Sequence, residues 1–203
     1  MTGDRPAHFV HVETIRSRSE PRDWTIGEHT HGGIAQLVVV TSGGVRATLD
    51  EERGHQPAPV ALAVPSGAVH GFRFDPGSDG LVVSIGDVRL DTGAMGPWIR
   101  TALFERGAVV QLAPEVASHV GAIGNCLLAE HEAAAAVGGD VAVDALLQAL
   151  LVAVARAAEA DVGTGASGAE RQPDLYRAFR DVVEAHYAEH WPISRYAAEL
   201  GVS

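Results

Sequence analysis

The sequence predicts a mainly β N-terminal region, a barrel or double-sheet jelly roll, followed by a helical pair and a smaller helical tail. Three observations carry this. Short β-rich runs alternate with turn signals up to about residue 113, spaced roughly 8–12 residues apart as in all-β sandwiches and barrels. From Pro114 the apolar spacing changes to the three-and-four pattern of a helix face. The small-residue run Val162-Gly163-Thr164-Gly165-Ala166-Ser167-Gly168 then reads as a linker. The expected organisation is a barrel at 1–113, a helical dimerisation segment at 114–161, a linker at 162–173 and a further domain beginning at 174–203.

Taken in order, residues 8–15 are β-branched and aromatic and predict a strand. Ser17 to Arg22 is polar and predicts a loop, and Trp24-Thr25-Ile26 a short strand. Ile34–Thr41 and Val45–Asp50 form a predicted strand pair around the turn Ser42-Gly43-Gly44. Glu51–Pro59 is charged and contains proline, and predicts a loop. Val60–Val64, His70–Phe74 and Leu81–Ile85 are further strands, separated by Pro65-Ser66-Gly67 and by the turn-rich Asp75–Gly80.

Pro114 suits the first turn of a helix whose face is Val116, Val120, Ile123 and Leu127. Gly138-Gly139 breaks it, and Asp140 is placed to cap the next. Val143, Leu147, Leu150 and Val154 mark the second face, widened by Leu146 and Leu151. That stripe fits either a helix packed on its own barrel or one that also forms a dimer interface. Cys126 falls on the first stripe and reads as a buried small apolar residue. His119, His131, His186 and His190 have no ligand-like neighbours in sequence and read as surface or packing residues. Beyond the linker, residues 174–188 predict a helix with Leu175, Phe179, Val182, Val183 and Tyr187 on one side, and Ile193–Leu200 a shorter one.

The chain has 203 residues and a formal charge of −11, which argues against a large basic nucleic-acid surface. All fifteen basic residues are arginine, and there is one cysteine. A single cysteine excludes an internal disulfide and a cysteine-based zinc finger, and fits a reducing, cytoplasmic setting. No uninterrupted apolar run reaches the roughly 18 residues of a membrane span, and the first residues lack a signal-peptide pattern.

Chemistry concentrates in two stretches, Gly27-Glu28-His29-Thr30-His31 with Gln36, and Pro65-Ser66-Gly67-Ala68-Val69-His70. Histidines two apart on a strand share a face, and Gln36 follows from the neighbouring strand after Gly32-Gly33. Imidazoles with an amide oxygen form a normal ligand set for zinc, nickel, iron, copper or manganese. The same group also suits a metal-free small-molecule pocket, or histidines that merely bond one another. Trp24, Val38, Val40, Phe72 and Phe74 are available as apolar walls. Arg46 is suited to an anionic ligand, or else is a solvated surface charge.

The two stretches together resemble the cupin family. Its first motif has a histidine pair, a glutamate and a closing glycine, matched here by His29, His31, Gln36 and Gly43. Its second has proline, glycine, histidine and asparagine, matched by Pro65, Gly67 and His70. Gln36 stands in the glutamate position and Phe74 in the asparagine position, so the implied ligand set His29, His31, Gln36 and His70 is neutral. The resemblance spans about residues 20–90.

The tail from His186 to Ser203 resembles the opening of an AraC/XylS-type DNA-binding domain, through Tyr196-Ala197-Ala198, Leu200-Gly201 and Ser203. This resemblance implies a transcription regulator that binds a small effector in the cupin pocket and dimerises through helices 114–160. Ser42-Gly43-Gly44 and Val64-Pro65-Ser66-Gly67-Ala68-Val69-His70-Gly71-Phe72 resemble regulators that sense small aromatic acids such as 4-hydroxybenzoate, which implies an aromatic-acid effector. DNA would be read by a recognition helix beginning at about Ser203, so this chain is expected to stop inside the first helix-turn-helix and to lack specific DNA binding. The competing functions are a metal-dependent cupin enzyme, such as a dioxygenase or isomerase, and an interaction module with a vestigial pocket.

Overall fold

The computed structural model describes residues 9–92, 96–133, 137–163, 179, 182–183 and 185–202. The chain divides into two compact units, Met1–Gly165 and Ala166–Ser203.

The first unit holds nine strands and five helices among the described residues. In chain order these are β1 (Val10–Thr14), α1 (Ile15–Ser19), β2 (Thr25–His29), β3 (Ile34–Ser42), β4 (Gly44–Leu49), β5 (Glu51–Pro57), β6 (Val60–Val64), β7 (His70–Phe74) and β8 (Asp79–Gly86). Then follow α2 (Asp87–Thr92), α3 (Gly96–Ile99), a π-helical turn at Arg100–Phe104, β9 (Ala108–Gln111), α4 (Pro114–Glu132) and α5 (Gly139–Gly163). The strands form two antiparallel sheets, ordered β1-β8-β3-β6-β9 and β2-β7-β4-β5.

The five-stranded sheet is buried on both faces, which explains its nearly continuous apolar strands. Side chains alternate across a strand. Val38, Val40, Leu62, Val64 and Val82 face one way and join Val45, Ala47, Leu49, Phe72 and Phe74 of the second sheet in an inner core. Leu37, Val39, Ala61, Ala63, Leu81, Val83 and Ile85 face the other way and pack beneath α4 and α5. The predicted helix faces are the packed ones: Val120, Leu127, Val143, Leu147, Leu150 and Val154 are buried, with Val116, Ile123 and Leu146 partly so. By length and composition α5 over Gly139–Ala160 would suffice to cross a membrane, at a mean hydropathy of 1.8. Its most apolar stripe is spent on this core.

Several expectations are corrected. Ser17–Arg22 is not a loop: α1 and a 3-10 turn at Glu20–Arg22 occupy it, with Thr14 capping α1 by accepting from the Ser17 N–H. The polar composition concealed a capped surface helix. Glu51–Pro59 is not a loop through most of its length, because β5 pairs with β4. As the edge of its sheet β5 carries exposed Arg53, His55 and Pro57, residues an edge tolerates. Asp140 lies in the first turn of α5, which begins at Gly139, rather than capping it. Cys126 is exposed; it lies next to Leu127 on the stripe's outer flank.

Of the predicted linker, Val162 and Gly163 complete α5, and 164–173 lie outside the described residues. Most of the predicted helix at 174–188, Leu175 included, also lies outside them; Phe179, Val182 and Val183 are helical. In the second unit a 3-10 turn at Tyr187–Glu189 precedes α6 (Ile193–Glu199). Tyr196 of α6 is buried against Phe179 and Trp191, at ring separations of 5.7 and 5.4 Å. Ser203 lies outside the described residues.

Leu127 has no exposed surface. Leu127→Ala is expected to lower unfolding free energy in urea by about 2–5 kcal/mol. The neighbouring exposed Ala129→Ser should shift it by no more than about 0.5 kcal/mol. Equal effects at both positions would contradict the packing of α4.

Candidate metal centre

The β2–β7 pair brings the histidines together. His29 and His70 are direct register partners, and a bulge between Ile26 and His29 shifts the register just before them. The loops at both strand ends are tied to each other: the Gly67 N–H donates to the His31 carbonyl at 2.9 Å, and the Gly33 N–H to Ser66 Oγ at 2.8 Å. The rings of His29 and His70 lie 4.3 Å apart, those of His29 and His31 4.7 Å, and those of His31 and His70 5.4 Å.

Each of the three offers a ring nitrogen within 4.8 Å of the other two. Neighbouring nitrogens around tetrahedral zinc stand roughly 3.3 Å apart, so modest ring rotations would reach ligating geometry. The hydrogen bonds favour that use. His70 Nδ1 lies 3.0 Å from the Ala68 carbonyl and His29 Nδ1 lies 2.8 Å from the Gly27 carbonyl. A carbonyl only accepts, so both protons sit on Nδ1 and both Nε2 atoms present a lone pair. Backbone carbonyls orient metal-binding imidazoles in this manner. His70 Nε2 is buried without a hydrogen-bond partner, an arrangement that costs about 1–3 kcal/mol unless a ligand relieves it.

Gln36 reaches the region from the opposite sheet, not from a strand adjacent to β2. It is 2% exposed and its Nε2 donates to Ser84 Oγ at 3.0 Å. Ser84 escaped the sequence reading. Its signal was a lone hydroxyl in the apolar run Leu81–Ile85, at the same parity as Val82. Val38, Phe72 and Phe74 are buried in the inner core, where the two phenylalanines stack at 5.9 Å. Trp24 packs against that core half-buried, and its carbonyl accepts from the Phe74 N–H at 2.9 Å. Arg46 does not line this interior. It is exposed between buried Val45 and Ala47, and pairs in register with exposed Arg73, so it stands on the outer face.

A second histidine pair also escaped the sequence reading, because its members are far apart in the chain. His131 of α4 and His11 of β1 approach to 3.3 Å, with rings edge to face. Burial, and then the neighbouring His11, lower the His131 pKa. In the second unit His186 also has partners, stacking on Trp191 at 3.9 Å and bonding Glu189 at 2.8 Å.

Burial pushes the His70 pKa down from 6.5 to about 4; the bond to the Ala68 carbonyl opposes this, and His29, His31 and Arg18 add smaller downward contributions. The folded protein thus keeps His70 neutral where the unfolded chain takes up a proton. Stability is full above pH 6.5 and falls as pH drops toward 4. Between pH 7 and pH 5 the metal-stripped protein should lose about 2 kcal/mol in urea denaturation from this group. His70→Phe should flatten that dependence; an unchanged slope would remove His70 as its source.

No protein-family model matches this chain, and no curated protein does. Among solved structures it is similar to the AraC-like transcriptional activator CuxR, with 12% identity and a TM-score of 0.46, over 87% of this chain and 62% of that one. It is also similar to an apo variant of ToxT from Vibrio cholerae strain SCE256, with 8% identity and a TM-score of 0.43, over 98% of this chain and 72% of that one. Unsaturated fatty acid-bound ToxT from the same strain gives 8% identity and a TM-score of 0.41, over 96% and 69%. This chain therefore spans 62% of the length of the first of these proteins and 72% and 69% of the other two.

Proposed function

We propose that this chain is the effector-sensing and dimerisation part of an AraC-type transcription regulator. The observation that carries the sensing role is the convergence of three imidazoles on a buried, unpartnered His70 Nε2. The repeated crossing of the chain between two facing antiparallel sheets, at every step but β4 to β5 and β8 to β9, supports the jelly-roll cupin reading. The resemblance of Tyr196-Ala197-Ala198 and Leu200-Gly201 to an AraC-type helix-turn-helix supports the regulatory reading.

His29 and His70 would hold a zinc, nickel, iron or copper ion through Nε2, together with His31. Gln36 would add its amide oxygen, its nitrogen being engaged by Ser84. When bound, such an ion supplies a Lewis-acidic anchor for an oxygen-bearing effector. Without one, His70 Nε2 accepts a proton-bearing group of the effector directly. An aromatic acid is the effector class proposed. Phe72 and Phe74 would have to repack to admit it, because both are buried. The effector acts by favouring one arrangement of the helices over another, and DNA is read through the helix-turn-helix that the tail opens. Dimerisation is assigned to α4 and α5, where Val141, Ala145 and Ala149 are exposed along one helix.

Metal-stripped protein titrated with zinc or nickel to about one hundred times Kd should gain about 2.7 kcal/mol, or roughly 5–10 °C in Tm. His70→Ala and the milder His31→Ala should abolish the shift. No shift with any of the four metals, and none with 4-hydroxybenzoate, would defeat the sensor reading; oxygen uptake by the iron form on a phenol would favour an enzyme.

Sedimentation is expected to show a dimer that Ala149→Arg converts to a monomer with unchanged helicity. A wild-type monomer at tens of micromolar would count against this interface.

A further inference from the structure

We propose that the cleft between α4 and the outer ends of β3 and β8 is a second small-molecule site, fitted to an organic cation with an apolar body. The cleft encloses about 560 Å³, within the roughly 300–1,000 Å³ of small-molecule sites. It lies on the helix-facing side of the five-stranded sheet, whereas Gln36, Val38 and Val82 face the histidine side. It is therefore separate from the candidate metal centre.

Its floor is apolar, made by Val39, Leu81, Val120 and Leu150, all buried. Thr41, Asp79, Ser118 and Asn125 supply polar groups at its edge. Asp79 is the one ionisable residue among those lining it. The Gly80 N–H donates to Asp79 Oδ1 at 2.8 Å, which fixes the carboxylate against the strand end. No basic side chain lines the cleft to neutralise it, and the whole chain carries −11. A carboxylate beside an apolar floor complements an ammonium attached to a hydrocarbon body, and repels an anion of the same shape.

Two glycines of α4 show that the space is not a packing requirement. A Cβ at Gly124 would stand 2.6 Å from Leu81 Cδ1, so close packing of helix on sheet accounts for that glycine. A Cβ at Gly121 would meet only Thr41 Cγ2, at 3.9 Å. Glycine inside a helix is less favourable than alanine, and at Gly121 no neighbour demands it. What its bare backbone does is leave the cleft open.

The test uses phenethylamine and its anionic counterpart 3-phenylpropanoate, titrated calorimetrically into the metal-stripped chain. Phenethylamine is expected to bind with 1:1 stoichiometry, and 3-phenylpropanoate neither to bind nor to compete. Gly121→Leu, which fills the cleft, should weaken amine binding by at least about tenfold while the urea midpoint holds or rises. Asp79→Asn, which keeps the shape and removes the charge, should weaken it by about tenfold. Absence of saturable amine binding would overturn the proposal. So would equal binding of the carboxylate, or amine binding that survives both substitutions.

Discussion

The structure depends on one sheet being buried twice. Apart from the buried Gln36 and Ser84, β3, β6 and β8 are apolar on both the inward and the outward face where they pack, so neither face can be left to water. The four-stranded sheet covers one face, and α4 and α5 cover the other. Each fully buried Val or Leu contributes roughly 1.5–3 kcal/mol, and Leu37, Val39, Leu81, Val83 and Ile85 depend on the helices for that burial. The helical pair is therefore part of the fold of this unit and not an appendage. One stripe of the apolar α5 roofs that sheet, while Val141, Ala145 and Ala149 of the same helix stay exposed.

The same constraint shapes the candidate site. A closed inner core would normally fill with carbon, and most of this one does, through Phe72, Phe74, Val38 and Leu62. At the end formed by β2 and β7 the filling changes to three imidazoles and to the Gln36–Ser84 pair across the interior. Two backbone carbonyls fix two of the imidazole tautomers, so lone pairs converge where donors would otherwise be needed. Burial above all keeps His70 from protonating. The fold thus holds a neutral, unsatisfied acceptor in place, which is a state that binding relieves.

Most of this was legible in the sequence wherever local pattern and long-range role agreed. The strands read at 34–41, 60–64, 70–74 and 81–85 announce themselves by β-branched runs, and the helix faces by spacing, because in each case burial dictates the residue. Edge and surface elements failed for the converse reason. β5 and α1 are polar because one side meets water, and polarity alone does not distinguish an edge strand or capped helix from a loop. The histidine trio was visible as a spacing motif, but the route of Gln36 was not. Its partner strand is set by sheet order, and a chain crossing between sheets leaves no local mark. Arg46 shows the limit of parity arguments: a shift of one residue turns an interior arginine into a surface one. His11 and His131 meet only because α4 lies over β1, and Cys126 missed the stripe by one helical position.

A consequence follows for communication between the histidine end and the helices. Residues of β3 point alternately to the two sides, so Gln36 and Val38 belong to the inner face while Leu37 and Val39 press on the helical layer. β8 repeats this with Ser84 and Val82 inward, and Val83 and Leu81 outward. Close-packed interiors do not deform smoothly. Admitting an effector beside Phe72 and Phe74 would require the inner face to yield, and β3 or β8 cannot shift without moving the side chains that seat α4. The contact of Leu81 against Gly124 leaves no slack there, since even a methyl at that glycine would stand 2.6 Å from Leu81 Cδ1. Gly121, one turn away, has slack. The helix is held on the sheet on both sides of that glycine, by Val120 and by Leu127, both buried in the same core.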